Sequence, residues 1–238
     1  MLPGSYWELK FDVNGYKNLD NSELSTQART GRKFEVLCQG ISSKTLGKRK
    51  RLKVRLLEDG YTCWLDLESL KNNAFLTESF SPQLLSKEQI EKRIPKILTW
   101  IKNASMIKNS YLWGGTIGPN FDCSGLIQTS FASQQIWLPR DAYQQENFCR
   151  SITFNENTFQ EVHPGDLIFF GSTEKCTHVG IYQGNNLYWH SSGKINGHNG
   201  ISIDELQPRN KNNISSFYRS QLRSIGRVEC CHDGSTLP

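Results

Sequence analysis

Cys123 stands in the run Phe121-Asp122-Cys123-Ser124-Gly125, where an apolar helical face begins. A thiolate is a nucleophile, and a helix N-terminus stabilises it through the partial positive charge of its free N–H groups. Most free cysteines are simply buried, so position alone does not make Cys123 reactive. Two histidines offer the missing base. His178 opens a predicted strand, His190 closes the next one, and the turn falls at Gln183-Gly184-Asn185. A three-residue loop there sets the two rings directly opposite each other on one face. A two-residue loop puts them on opposite faces, because side chains alternate with a period of two. Same-face cross-strand neighbours have Cβ atoms about 4.5–5.5 Å apart, close enough for one ring to orient the other. Given the three-residue loop, Cys123, His178 and His190 supply nucleophile, base and orienter, the parts of covalent acyl transfer. Taken singly, either histidine is more simply a satisfied residue of a sheet.

The elements that must position these groups can be read from periodicity. Trp7, Leu9, Phe11 and Val13 alternate with polar residues, Phe34 to Cys38 forms a second strand-like run, and Leu52 to Leu57 a third. Turn formers separate them at Asn14-Gly15, Thr30-Gly31 and Asp59-Gly60. Short strands at this spacing predict a small barrel. A break follows near Asn72 to Leu85, and Ser86-x-x-Gln89 then predicts a capping box. Ile90, Ile94, Ile97, Leu98 and Ile101 keep one helical face apolar, with Pro95 kinking the helix or starting its second part. A second helix begins at Asp122 or Cys123, with Leu126, Ile127 and Phe131 inward. Strands return at Asp166 to Phe170, His178 to Tyr182 and Leu187 to His190. Residues 150–161 read as a loop. The fold class is α+β: a small β domain over residues 1–80, then an α+β domain over 81–238.

Several motifs occur in a fixed order: Tyr111-Leu112-Trp113-Gly114-Gly115, Asp122-Cys123-Ser124-Gly125-Leu126, Leu138-Pro139-Arg140, Pro164-Gly165-Asp166-Leu167, His178-Val179-Gly180-Ile181-Tyr182 and His190-Ser191-Ser192-Gly193. This series resembles the NlpC-type papain-like cysteine peptidases of bacterial cell-wall metabolism. The N-terminal half, at Glu58-Asp59-Gly60-Tyr61-Thr62-Cys63-Trp64-Leu65, is similar to the γ-D-glutamyl-L-diamino-acid endopeptidases that carry an N-terminal bacterial SH3-like domain. The resemblance implies an SH3-like β-barrel followed by a papain-like domain. By position it makes Cys123 the nucleophile, His178 the general base and His190 the orienting residue, with Tyr111 beside the oxyanion site. Tyr61, Asp122, Ser124 and Ser191 fall among substrate-binding positions, and Arg140 is assigned to a substrate carboxylate or to a structural ion pair. A carboxylate beside a thiol disfavours the thiolate, so Asp122 suits the ammonium of a substrate's N-terminal L-alanine, with Tyr61 closing the pocket. The implied substrate is a peptidoglycan-derived tri- or tetrapeptide with a free L-Ala, cleaved between γ-D-Glu and a diamino acid such as meso-diaminopimelate. Loss of catalysis in a wall-peptide binding module, or transfer of the acyl group to another acceptor, are the alternatives.

Composition bounds the rest. The 238 residues, 37% hydrophobic and 21% charged, are enough for a packed core. No apolar run approaches the length that spans a bilayer. The start Met1-Leu2-Pro3-Gly4 lacks a secretory pattern, and seven cysteines fit a disulfide framework badly. These point to a cytoplasmic monomer without a membrane partner. The basic stretch from Lys44 to Arg55 alternates with Leu52, Val54 and Leu56 and carries no interleaved aromatics, so it reads as a solvated strand face rather than a nucleic-acid surface. Neither Cys176-x-His178 nor Cys230-Cys231-His232 has zinc-site spacing. No metal or other cofactor is expected.

Overall fold

The computed structural model describes residues 1–41, 50–78, 80–155, 158–206 and 213–236. The N-terminal part contains β1 (Tyr6–Leu9), β2 (Val13–Tyr16), β3 (Leu24–Ala28), β4 (Lys33–Ile41), β5 (Lys50–Leu56), β6 (Thr62–Asp66), the short helix α1 (Leu67–Leu70) and β7 (Ala74–Leu76). Its strands form one sheet in the order β3-β2-β6-β5-β4-β1-β7. Inward residues Leu9, Phe34, Val36, Leu52, Val54 and Leu65 fill its core. The single strand expected over Trp7 to Val13 is two. Asp12 accepts a hydrogen bond from the Thr30 N–H at 2.7 Å and so belongs to a turn.

The basic strand also departs from expectation. Residues 44–49 lie outside the described residues. Within β5, Arg51 is fully buried rather than solvated. Its Nε donates to Asp66 at 2.8 Å, its Nη1 donates to the carbonyls of Asn18 and Asn21 at 2.6 Å each, and the guanidinium lies 3.8 Å from the Tyr16 ring centroid. A planar fork of donors can satisfy several acceptors at once, so Arg51 closes the β2–β3 loop instead of facing water.

The remaining chain forms α2 (Lys87–Glu91), α3 (Ile94–Ser105), α4 (Cys123–Ala132), α5 (Ala142–Phe148), β8 (Arg150–Ser151), β9 (Leu167–Gly171), β10 (Cys176–Gly184), β11 (Leu187–Ser192), β12 (Gly200–Glu205), α6 (Asn213–Ser220) and β13 (Leu222–Arg227). The second sheet runs β12-β11-β10-β9-β13-β8. Ser86 and Gln89 make the reciprocal capping box that starts α2, and Pro95 lies in the first turn of α3, where a missing N–H costs nothing.

Helix α4 lays Leu126, Ile127 and Phe131 on the sheet against Phe169, Val179 and Ile181. On the other face, Ile168 and Phe170 pack with Tyr188, Leu206 and Tyr218. Both faces of β9 are thus covered, which explains its unbroken apolar run Leu167-Ile168-Phe169-Phe170. Truncating Phe131 to alanine would cost about 3–5 kcal/mol as a core cavity. Gly125, in the first turn of α4, faces the Gly115 carbonyl so closely that any Cβ would collide with it.

Buried polar contacts join the two sheets. Arg32 donates to Glu58 at 2.6 Å and to Asp59 at 2.9 Å, and Gln128 of α4 donates to the other oxygen of Asp59 at 2.8 Å. The Arg32 guanidinium also lies 4.3 Å from the centroid of Trp137. The helix that carries Cys123 is therefore held directly by the N-terminal part.

Candidate active site

Cys123 is the first residue of α4 and is nearly buried. Asp122 caps the helix: its Oδ1 accepts the Gly125 N–H at 2.6 Å, and its Oδ2 accepts the Gly114 N–H at 2.8 Å. Burial first, and the Asp122 carboxylate second, push the Cys123 thiol up to about 12. The N–H groups of Val179 and Ser124 oppose that shift, so the sulfur lies against the residue that follows His178.

His178 lies just beyond a bulge. Cys176 pairs with Gly171 and His178 with Phe170, leaving Thr177 as the extra residue. Bulges re-aim side chains in this way beside active sites. His178 Nε2 is 2.8 Å from His190 Nδ1, with the rings nearly perpendicular. The loop behind this contact is not the expected one. Gly184 pairs with Leu187, so the turn is the two-residue Asn185-Asn186, both residues with positive φ. Alone it would place the rings on opposite faces. A register shift between Tyr182 and Gly184 adds one residue to β10 and restores the common face. The pairing Ile181↔Trp189 beyond it makes the histidines diagonal same-face neighbours, not directly opposed ones.

The relay continues past His190. His190 Nε2 is 2.8 Å from Asp204 Oδ2, and Ser215 donates to Asp204 Oδ1 at 2.8 Å. Asp204 was not among the residues expected from sequence. It lies on β12, whose register pairs His190 with Ser202 and Tyr188 with Asp204. In sequence it is one more polar residue in the alternation Ile201-Ser202-Ile203-Asp204. Tyr218 of α6 stacks on His178 at 4.4 Å and was likewise unforeseen. Burial and then the neighbouring His190 hold His178 well below its ordinary value. Burial also lowers His190, against the pull of Asp204. Burial alone would raise Asp204, but its bond and charge interaction with His190 bring it below the usual carboxylate value. The resting arrangement is a thiol, two neutral imidazoles and one carboxylate.

A cleft of about 420 Å³ opens over Cys123. Tyr111, Asp122, Ser124 and Arg140 line it, together with Tyr61 from the N-terminal sheet. Tyr111 is pushed above its usual value by burial and by Cys123 and Asp122 nearby. Two of the expected substrate-binding residues are engaged within the protein. Arg140 takes the structural one of its two expected roles: its Nη2 donates to Asp122 at 2.6 Å, its Nη1 to Asp122 and Ser124, and its Nε to Thr26. Ser191 is fully buried and donates to the Phe121 carbonyl at 2.7 Å, tying β11 to the segment before Cys123. The ion pair also changes Asp122, whose two oxygens are filled by Arg140 and backbone N–H groups. The carboxylate left beside Tyr61 is Asp141, which burial raises above its ordinary value against the pull of Arg140.

Among the described residues, one group of three could hold a metal: His190, His198 and Asp204. Cys176-x-His178 and the Cys230-Cys231-His232 tail assemble no such group there.

The NlpC/P60 family matches residues 108–219, a span that includes Cys123, His178, His190 and Asp204. The C-terminal domain belongs to the NlpC/P60 family. The bacterial dipeptidyl-peptidase Sh3 domain matches residues 15–70, so an SH3-like domain precedes the NlpC/P60 domain. The bifunctional muramidase/DL-endopeptidase CwlT of Bacillus subtilis is 39% identical over 123 residues, covering 50% of this chain and 32% of the relative. The murein DD-endopeptidase MepS/murein LD-carboxypeptidase of Escherichia coli K12 is 36% identical over 83 residues, 34% of this chain and 42% of that protein. In each case the match spans less than half of the relative's length. A solved NlpC/P60 family protein from Bacillus cereus covers 95% of this chain and 64% of its own, at 21% identity and a TM-score of 0.43.

Proposed function

We propose that this chain is a cysteine endopeptidase that hydrolyses the bond between γ-D-Glu and a diamino acid, meso-diaminopimelate, in peptidoglycan-derived peptides with a free N-terminal L-Ala. The observation that carries this reading is that Glu23, Leu24, Ser25 and Tyr61 of the N-terminal part line the Cys123 cleft. A wall from that domain beside the nucleophile favours a chain end over the middle of a polymer. Two carboxylates in the lining, Asp141 and Glu23, suit an ammonium group, with Glu23 also paired to Lys17 at 3.0 Å. In an intact wall strand the alanine nitrogen is an amide to the sugar and carries no charge, so released peptides fit best. Recycling of such peptides in the cytoplasm belongs to the same proposal. CwlT and MepS, both named as endopeptidases, support the coarser activity.

The chemistry follows from the relay. His190 Nε2–H donates to Asp204, which leaves His190 Nδ1 to accept from His178 Nε2–H. His178 Nδ1 then keeps its lone pair for the thiol proton. The thiolate formed attacks the γ-glutamyl carbonyl carbon. The oxyanion is met by N–H groups at the start of α4 and by the Tyr111 hydroxyl. The C–N bond breaks as His178 returns the proton to the leaving amine, and water hydrolyses the thioester. Neutral His178 and a thiol of high pKa make proton transfer concerted with attack, rather than preceded by a standing ion pair.

The test supplies L-Ala-γ-D-Glu-meso-diaminopimelate and follows products by mass spectrometry. The expected result is free diaminopimelate with the native protein, and none with Cys123→Ala. Acetylating the alanine nitrogen is expected to abolish cleavage. A peptide bound but never cut, or ligated to another amine, would overturn the hydrolytic reading.

A further inference from the structure

His198 has no part in the reaction above. It lies between β11 and β12 with 36% of its side chain exposed, and its Nε2 is 3.0 Å from Asp204 Oδ2. His190 Nε2 is 2.8 Å from the same oxygen, and the three ligand atoms all lie within 4.8 Å of one another. Two imidazole nitrogens and a carboxylate oxygen form a donor set that zinc takes with water as fourth ligand. Tetrahedral ligands at about 2.0–2.1 Å from zinc stand roughly 3.3–3.4 Å apart, so the two contacts to Asp204 would open by about 0.3–0.6 Å. Ser215 already fixes the other oxygen of Asp204, as an outer partner fixes a metal-binding carboxylate. His190 and Asp204 are buried, and the exposed His198 gives the ion its way in.

We propose that His190, His198 and Asp204 form an inhibitory zinc(II) site that disables His178 by reversing the tautomers of the relay. This rests on the reaction proposed above. Zinc on His190 Nε2 requires the proton of that ring to sit on Nδ1. His190 Nδ1–H then donates to His178 Nε2, which must give up its own hydrogen. The His178 proton moves to Nδ1, the nitrogen that would have received the thiol proton. His198 likewise keeps its proton on Nδ1. Every ring stays neutral and no proton is gained or lost overall, but His178 can no longer act as a base toward Cys123. None of the three ligands lines the substrate cleft, so the ion lowers kcat and leaves KM unchanged.

Two measurements test this, one of them independent of turnover. Cobalt(II), a spectroscopic stand-in for zinc, is titrated into Cys123→Ala protein. One site without a thiolate-to-metal charge-transfer band is expected, displaced by zinc and absent when His198→Ala is added to the same protein. A cobalt spectrum unchanged by that second substitution overturns the site, whether or not the peptide is a substrate. In the active protein, zinc is expected to inhibit reversibly with KM constant. His198→Ala, or His198→Gln as the bulkier version, is expected to keep basal turnover and raise the half-inhibiting zinc concentration about tenfold or more. Inhibition that competes with the peptide, or that ignores both His198 variants, overturns the proposal.

Discussion

At the residue scale, the proposed nucleophile and base both sit in their neutral forms, and this has consequences for pH. Burial drives His178 well below its ordinary value of about 6.5. The acid limb of kcat/KM is therefore expected below that value, because His178 stays unprotonated there. Cys123 has the opposite stability signature. The unfolded thiol ionises above about 8.5, whereas the folded thiol holds its proton up to about 12. The stability linked to this residue is intact below the unfolded value and is lost as pH rises through that window. Cys123→Ala is expected to lessen the alkaline loss by about 1.4 kcal/mol per pH unit, read from urea midpoints between pH 9 and 11. An unchanged slope would count against a buried neutral thiol. Asp204→Asn is expected to lower kcat about 10–100-fold with little change in KM, because the amide no longer fixes the His190 tautomer. An equal rise in KM would point to lost structure instead. The placement of Cys123 at a helix start and the grouping of His178 with His190 were legible from residue type, spacing and motif order. Asp204 was not, because it enters through the register of a third strand, and a polar residue in an alternating run reads as solvated.

At the element scale, the site depends on two places where β10 departs from regular pairing. The bulge at Thr177 precedes His178, and the register shift before Gly184 corrects the parity set by the Asn185-Asn186 turn. Deleting Gln183 removes the bulged residue and leaves the observed pairs Gly184↔Leu187, Tyr182↔Tyr188 and Ile181↔Trp189 as a regular two-residue hairpin. His178 and His190 therefore keep a common face. Turnover is expected to be retained while circular dichroism keeps its strand signal, and lost turnover in a folded variant would show that the local twist of the bulge, not parity alone, aligns the rings. Helix starts were easier to foresee than strand register. Ser86, Pro95 and Asp122 act through local backbone geometry, and each marks a helix start in the structure. Register is set by contacts between strands, so a one-residue bulge leaves little trace in a sequence. Arg51 was misread for a related reason: its alternation put it on the outer face, but its acceptors lie on a loop some thirty residues earlier.

At the scale of the whole molecule, the N-terminal SH3-like domain is part of the proposed active site rather than an appendage. Asp59 binds both Arg32 of its own sheet and Gln128 of α4, Thr26 takes the Nε–H of Arg140, and Tyr61 reaches the cleft. The first two contacts are buried, so breaking them would disturb folding as well as function. Tyr61 is the better probe, because it is only partly buried and caps no unpaired charge. Tyr61→Ala removes the N-terminal wall of the cleft without touching Cys123 or the relay. The expected outcome has two parts. Turnover of the free-amine peptide falls in kcat/KM, mainly through KM, because the wall that packs against the alanine is gone. Cleavage of the N-acetylated peptide, expected to be absent in the native protein, becomes measurable, because the pocket no longer stops at the first residue. Thermal unfolding should shift little, which separates the effect from loss of the domain contact. If the acetylated peptide remains untouched while the free peptide is still cut, selection for the chain end lies with the carboxylates Asp141 and Glu23 rather than with Tyr61 as a steric stop.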